Sequence, residues 1–125
     1  DRTELTSLAV TYGAGAPGGG PLLGSVKSNV GHTQAAAGAL GLAKVLLAAQ
    51  HGVVPATLHV DDRSSEIDWE NTALRLAAKS TSWPARDGAR IGAVSAFGMS
   101  GTNTHVVVEV PDTGREGGRG QGRAA

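Results

Sequence analysis

The sequence predicts an α/β fold, and three patterns along its 125 residues carry this prediction. An apolar stretch at 35–49 is long enough for about four turns of helix. Short runs rich in leucine and valine lie before and after it. Farther along, two β-rich runs enclose a glycine-rich turn. Helices therefore alternate with strands along the chain, which is the pattern expected of the α/β class.

The first element is predicted to be a short amphipathic helix. Apolar side chains recur at helical spacing through residues 2–12, and Gly13 follows directly. The glycine-rich segment 13–20 lacks the Lys-Ser/Thr pair of a phosphate-binding loop and the spacing of a dinucleotide-binding motif, so it is expected to be a flexible connection. A short β run at 22–26 comes next.

A second helix is expected to begin after Thr33, its N-cap, and to continue to about Gln50, where Gly52 ends it. Alanine and leucine surround this helix, and a helix that is apolar on nearly every side is a buried one. Gly38 and Gly41 leave room for another element to approach closely. Because so short a chain has few elements to cover every side, we infer that a layer is supplied by a partner or by missing sequence.

The segment after this helix is predicted to be mainly extended. Residues 53–60 form an extended stretch, and a polar segment follows at 61–71. Residues 74–78 have the composition of a strand. This unit is expected to end at Trp83 and the proline that follows it.

The last structured elements are predicted to be two strands joined by a turn. The strands span 90–96 and 104–110, and the glycines of the turn at 97–103 permit positive φ. The tail at 112–125 is rich in glycine and arginine and has no apolar anchor, so we expect a disordered linker there.

Charge and composition argue against several classes of function. Eleven basic and eleven acidic side chains give a net charge of zero, which leaves no broad basic face for nucleic acid. No apolar run reaches the roughly 20 residues of a membrane span, and no basic leader opens the chain, so a cytoplasmic location is expected. The chain has no cysteine and no histidine pair at metal-ligand spacing, so neither a thiolate nucleophile nor a metal site is expected.

Lys27 and His32 are the first candidates for chemistry. They lie five residues apart on a predicted connection from strand to helix, where α/β sheets usually open their sites. There, His32 could donate a hydrogen bond to an oxygen that gains negative charge, and Lys27 could orient partners or stabilise an anion. Taken alone, a lysine and a histidine in a loop are more often structural or simply solvated.

The turn at 97–103 is the second candidate. Backbone N–H groups in a glycine-rich bend can form an oxyanion hole. A plain hairpin turn is the alternative, because glycine-rich turns are common.

Three segments together carry a family resemblance: GSVKSNVGHTQAAAGALGLAKVLLA at 24–48, VVPATLHVDD at 53–62 and SAFGMSGTNTHVVVEVP at 95–111. In order and spacing they resemble the C-terminal half of a β-ketoacyl synthase, most closely the ketosynthase domains of modular type I polyketide synthases. The resemblance covers essentially 1–111, which we take as a partial ketosynthase domain followed by the linker at 112–125. It implies the C-terminal half of a thiolase-like αβαβα fold, in which the apolar helix would lie between two sheets.

The resemblance implies polyketide- or fatty-acid-type chemistry, the decarboxylative Claisen condensation of acyl and malonyl-type thioesters. In this family a cysteine takes the acyl chain from an acyl carrier protein, and two histidines assist loss of CO2 from the extender. The partners it implies are acyl carrier protein, the missing N-terminal half and a homodimer mate. No cofactor is expected on the chain itself, because the phosphopantetheine thioester arrives on the carrier protein.

The resemblance also assigns roles to individual residues. His32 matches the second catalytic histidine, and Lys27 matches the lysine of the Lys-Ser-Asn-x-Gly-His motif, within which Asn29 is a supporting residue. Glu4 matches an acidic residue that could pair with Lys27. The remaining matches form a gating and oxyanion turn: Phe97, Gly98, Gly101, Thr102 and Asn103.

The chain departs from the family pattern in ways that affect activity. The family's nucleophilic cysteine and its first histidine are absent, and Asp1 aligns just beyond the first histidine motif, which indicates a piece of a longer protein. Arg2, Thr3, Arg63 and Thr104 replace the residues usual at their positions. We therefore expect the chain to be inactive alone. The alternative is a non-catalytic structural or docking module of a synthase complex, which would fold without its other half.

Overall fold

A computed structural model describes residues 2–13, 19–60, 67–70 and 72–114. The chain divides into two units, one formed by residues 1–33 with 54–81 and the other by 34–53 with 82–125. The expected linker beyond 114, most of the glycine-rich loop and most of the polar segment lie outside the described residues. In the described part, no helix has both the length and the apolar character to cross a membrane.

The first unit contains two helices and a small parallel sheet. Helix α1 is Arg2–Tyr12, as predicted, and the Gly13 amide donates to the carbonyl of Ala9 at its end. Strand β1, Leu22–Leu23, pairs in parallel with β3, Arg75–Leu76. Both strands are shorter than predicted. Beyond the paired residues, single hydrogen bonds join the two segments, such as the one from the Ala77 amide to the Leu23 carbonyl, and no ladder continues.

The connection after β1 differs from the prediction. Instead of a β run to residue 26, the chain turns into a four-residue helix α2, Lys27–Val30. The Ser25 hydroxyl accepts a hydrogen bond from the Lys27 amide at 3.2 Å, and this local bond competes with further strand pairing.

The start of the long helix also differs from the prediction. A 3₁₀ turn, Gln34–Ala36, comes first, and α3 spans Ala37–His51. Thr33 is therefore not its N-cap, because Gln34 has φ 50° and Ala36 occupies the cap position without a side-chain bond. Gly52 ends the helix as predicted, at φ 64°.

Helix α3 packs on a long hairpin in the second unit. Strands β5, Ala89–Phe97, and β6, Asn103–Pro111, are antiparallel and extend one residue beyond each predicted end. Small residues allow the close contact, because a Cβ on Gly38 would lie 3.2 Å from the Ala96 Cβ. Strands β2, Val53–Val54, and β4, Thr81–Ser82, form a separate short ladder.

The apolar surface of α3 is only partly covered. Ala49 is the one residue of this helix that is fully buried, whereas Leu46 and Leu47 are 38% and 56% exposed. The expectation of burial on every side is therefore not met within the described residues. This exposure agrees with the inference that another layer completes the packing.

Candidate functional site

The segment that carries Lys27 and His32 is a short helix followed by a sharp change of direction. Lys27 is the first residue of α2, and His32 lies just after its end; both side chains are exposed. Between them, Gly31 has φ 74° and ψ −173°, and its amide donates to the Lys27 carbonyl at 2.8 Å. Only glycine adopts this conformation without strain, so Gly31 sets the direction in which the chain reaches His32.

The loop at 57–58 holds α2 in place. The Ser25 amide donates to Thr57 Oγ1 at 3.2 Å, and the Leu58 amide donates to Ser28 Oγ at 3.2 Å. Ser28 Oγ also donates to the Ser25 carbonyl at 3.3 Å. Four residues are too few for a stable helix in isolation, so these bonds, together with the Ser25–Lys27 bond, fix where Lys27 lies.

Glu4 belongs to the same unit but does not contact Lys27 as the resemblance suggested. Glu4 lies on α1 and is half-buried. Among the described residues the structure contains no ion pair between Glu4 and Lys27. The Asn29 amide donates to the Val26 carbonyl at 3.0 Å, so the backbone of this supporting residue is part of α2.

The predicted gating turn lies at the tip of the β5–β6 hairpin. Phe97 and Asn103 form the last pair of the ladder, and the Phe97 side chain is 56% exposed. The Gly98 amide donates to the Thr102 carbonyl at 2.8 Å, and a Cβ on Gly98 would lie 3.0 Å from the same oxygen. Glycine is thus required at position 98 because the Thr102 carbonyl approaches its backbone closely, not because the residue has a positive φ.

Gly101 closes this turn with the positive φ that the sequence predicted. Its φ is 87°, and its amide donates to the Gly98 carbonyl at 3.0 Å. The amides of Gly98 and Gly101 are therefore already engaged within the turn. An oxyanion contact would have to use another amide of the turn, and the catalytic roles of its residues stay predictions.

Sequence reasoning missed the residues that support these two segments. Thr57 and Ser28 anchor α2, and Ser95 Oγ lies 2.9 Å from His105 Nδ1 across the ladder two pairs before the turn. Ser28 lies within the motif at 27–32 and Ser95 lies just before the turn, but hydroxyl residues are too common in loops to be a strong signal. Thr57 is distant from both segments in sequence, so no local signal identifies it. No group of three metal-ligating side chains occurs within the part of the chain that the structure describes.

Comparison with protein families identifies the first half of the chain. Residues 1–61 match the family described as beta-ketoacyl synthase, C-terminal domain. This match includes α1, α2 and α3, and therefore both Lys27 and His32.

Curated relatives extend the similarity over most of the chain. Polyketide synthase GfsA from Streptomyces halstedii is 54% identical over 110 residues, which is 87% of this chain and 2% of that protein. Erythronolide synthase EryA3 from Saccharopolyspora erythraea is 50% identical over 110 residues, 87% of this chain and 4% of that protein. The chain therefore spans only a few per cent of the length of these relatives.

Solved structures give the same result for the fold. The ketosynthase from module 6 of the bacillaene synthase of Bacillus subtilis is 38% identical with a TM-score of 0.79, covering 88% of this chain and 21% of that one. The oxazolomycin ketosynthase domain OzmH KS7 of Streptomyces albus is 34% identical with a TM-score of 0.77, covering 90% and 20%. The fold is thus the thiolase-like α/β fold of ketosynthases, and this chain corresponds to about a fifth of such a structure.

Proposed function

From its membership of the β-ketoacyl synthase family, as a C-terminal segment of a ketosynthase domain of a polyketide synthase, we propose a function for this chain. We propose that it supplies His32 and Lys27 to a decarboxylative Claisen condensation. The observation that carries the proposal is the Lys-Ser-Asn-Val-Gly-His segment at 27–32. It is held by hydrogen bonds in a defined, exposed conformation, within a chain that is 38% identical to a solved ketosynthase.

His32 acts on the extender unit. Its imidazole donates a hydrogen bond to the thioester carbonyl of a malonyl-type substrate, whose oxygen gains negative charge as CO2 leaves. This donor stabilises the enolate more than the ground state, which is the condition for accelerating the step. The enolate carbon then attacks the acyl thioester, and the sulfur of that thioester leaves as a thiolate.

Lys27 and the turn at the tip of the β5–β6 hairpin have supporting roles. The ammonium of Lys27, whose backbone is held at the start of α2, provides positive charge and hydrogen bonds that orient groups of the centre. Phe97 controls access to the acyl chain, and an amide of the turn donates to the oxyanion formed when the enolate attacks.

The nucleophile comes from outside this chain. None of the 125 residues is a cysteine, and the family forms its acyl-enzyme on a cysteine. In this proposal the chain is inactive alone. An N-terminal ketosynthase segment completes it, acyl carrier protein delivers substrates on phosphopantetheine, and a second copy of the domain forms a homodimer with it.

The experiment that tests this function is a segment exchange. The 110-residue segment of a GfsA ketosynthase domain that matches this chain is replaced by the corresponding residues from 1–111, and we call the product the hybrid ketosynthase. Decarboxylation of a malonyl thioester and formation of the condensation product are both measured with carrier-protein-bound substrates.

The first prediction concerns His32. We expect the hybrid ketosynthase to decarboxylate and condense, and His32→Ala to lower the decarboxylation rate by at least about 100-fold, because one preorganised donor to a developing oxyanion contributes about that much. His51→Ala, at another exposed histidine on the end of α3, should leave the rate within about twofold. Equal rates for the His32→Ala variant and the parent hybrid would contradict the proposal.

A further inference from the structure

The hydroxyl of Thr57 lies at the point where the chain leaves the small parallel sheet. The Ala77 amide donates to the Leu23 carbonyl at 2.9 Å, and the Thr57 amide donates to the Ala77 carbonyl at 2.7 Å. Ala77 is almost completely buried, at 1% exposure. The three residues therefore form a row of hydrogen bonds across the end of β1 and β3.

The Thr57 backbone ends this row, and the Thr57 side chain then connects the row back to the segment after β1. Its Oγ1 accepts the hydrogen bond from the Ser25 amide at 3.2 Å, and Ser25 lies two residues after Leu23. The result is a ring from Leu23 to Ala77 to Thr57 to Ser25 and back along the chain. Gly24 lies inside the ring, where a Cβ would be 3.3 Å from Thr57 Oγ1.

Ser25, which is bonded to Thr57, is also bonded to two residues of α2. Its hydroxyl accepts from the Lys27 amide at 3.2 Å, and its carbonyl accepts from Ser28 Oγ at 3.3 Å. The Leu58 amide, next to Thr57, completes the support by donating to Ser28 Oγ at 3.2 Å. These side-chain bonds connect Ser25 and Ser28 with the loop at 57–58, so they hold the backbone of α2.

From this arrangement we propose that Thr57 is a positioning residue for the segment that carries Lys27 and His32. The Thr57 hydroxyl fixes the Ser25 backbone, which sets the start of α2 and so the placement of both functional side chains. This inference rests on the proposed function for its catalytic consequence but not for its structural one. A small displacement of groups that must meet a developing charge is costly, because an error of about 1 Å can slow a reaction about 100-fold.

Two substitutions separate the hydroxyl from the shape of the side chain. Thr57→Val keeps the branched shape and removes the acceptor, whereas Thr57→Ser keeps the hydroxyl. Thr81→Val is the matched control, because Thr81 is exposed on β4 and its hydroxyl donates to the nearby Lys79 carbonyl at 3.0 Å. All three are made in the hybrid ketosynthase, where the proposed site is complete.

The activity measurement distinguishes positioning from general stability. We expect Thr57→Val to lower kcat for decarboxylation by at least about tenfold with KM within about twofold, and Thr57→Ser to stay within about threefold of the parent. Thr81→Val should match the parent. The inference is overturned if Thr57→Val keeps the parent kcat, or if Thr57→Ser is as slow as Thr57→Val.

A second measurement does not depend on condensation. Hydrogen exchange at the Ser25 amide should be about fivefold to tenfold faster in Thr57→Val and nearly unchanged in Thr57→Ser and Thr81→Val, as expected for the loss of one hydrogen bond. Unchanged Ser25 exchange in Thr57→Val would overturn the inference. A hybrid that shows the exchange effect but has no condensing activity would instead contradict the proposed function alone.

Discussion

Partial burial of Lys44 on α3 makes the stability of the fold depend on pH. Its position along this apolar helix takes the ammonium partly out of water, and that burial lowers the pKa of Lys44 below its ordinary value of 10.5. Between the lowered pKa and 10.5, the unfolded chain binds more protons than the folded one. The contribution of Lys44 to stability therefore rises with pH through that window and is most unfavourable below it.

In the hybrid ketosynthase, Lys44→Met should raise the Tm at pH 7 by roughly 1 to 3 °C, because an uncharged side chain of similar length replaces a desolvated cation. The gain should shrink as pH rises towards 10.5. Lys79→Met, at an exposed lysine, is the control in thermal unfolding at pH 7 and at pH 10. A gain that grows with pH would contradict the assignment.

The sequence offered candidate site residues but not the residues that hold them in place. Lys27, His32 and the glycines of the turn could be named because their motif fixes both residue type and spacing. Thr57 could not, because its role depends on a hydrogen bond to Ser25, 32 residues away in sequence. The expected pair of Glu4 with Lys27 also could not be checked from sequence, since it required the position of α1.

The packing of α3 on the β5–β6 hairpin is governed by glycine at the contacts. A Cβ on Gly41 would lie 2.9 Å from Val94 Cγ1, and one on Gly92 would lie 2.6 Å from Val45 Cγ1. Each element therefore leaves space for a valine of the other. The cost of two glycines within α3 is offset by this close approach.

A double-mutant cycle in the hybrid ketosynthase tests the contact between Gly92 and Val45. Gly92→Ala should destabilise it by about 1–3 kcal/mol, because the added methyl group overlaps Val45 and forces one element to move. In a Val45→Ala background the same substitution should cost clearly less. Thermal unfolding of the four proteins gives the coupling, and additive effects would show that the two elements do not meet there.

The longest elements were predictable, and the shortest were not. The α3 helix and both strands of the hairpin have enough residues for a periodic pattern to emerge, and glycine marks their ends. Helix α2 has only four residues, so no periodicity reveals it, and a serine side chain rather than a propensity decides its start. Thr33 failed as an N-cap because a left-handed Gln34 interrupts the helix before Ala37.

Across the described residues, few apolar side chains are buried and many are exposed to solvent. The buried apolar residues among them are Ala49, Leu74 and Ala77. In the second unit, Leu47 is 56% exposed on α3, and Ile91 is 66% exposed on β5. Exposed apolar groups on both packed elements indicate a missing partner layer, and they disfavour the alternative of an independent docking module. That conclusion agrees with a chain that corresponds to about a fifth of a solved ketosynthase.

Equilibrium unfolding of the isolated 125-residue chain shows whether it can form a core by itself. As one segment of a ketosynthase, the chain should depend on the rest of the domain for its core. Near-UV circular dichroism of the two tryptophans, Trp69 and Trp83, would be followed in urea. We predict a gradual loss of signal without a single cooperative transition, and a cooperative transition once the N-terminal ketosynthase segment is added. One sharp transition of the chain alone would contradict the account, because it would show a self-sufficient core.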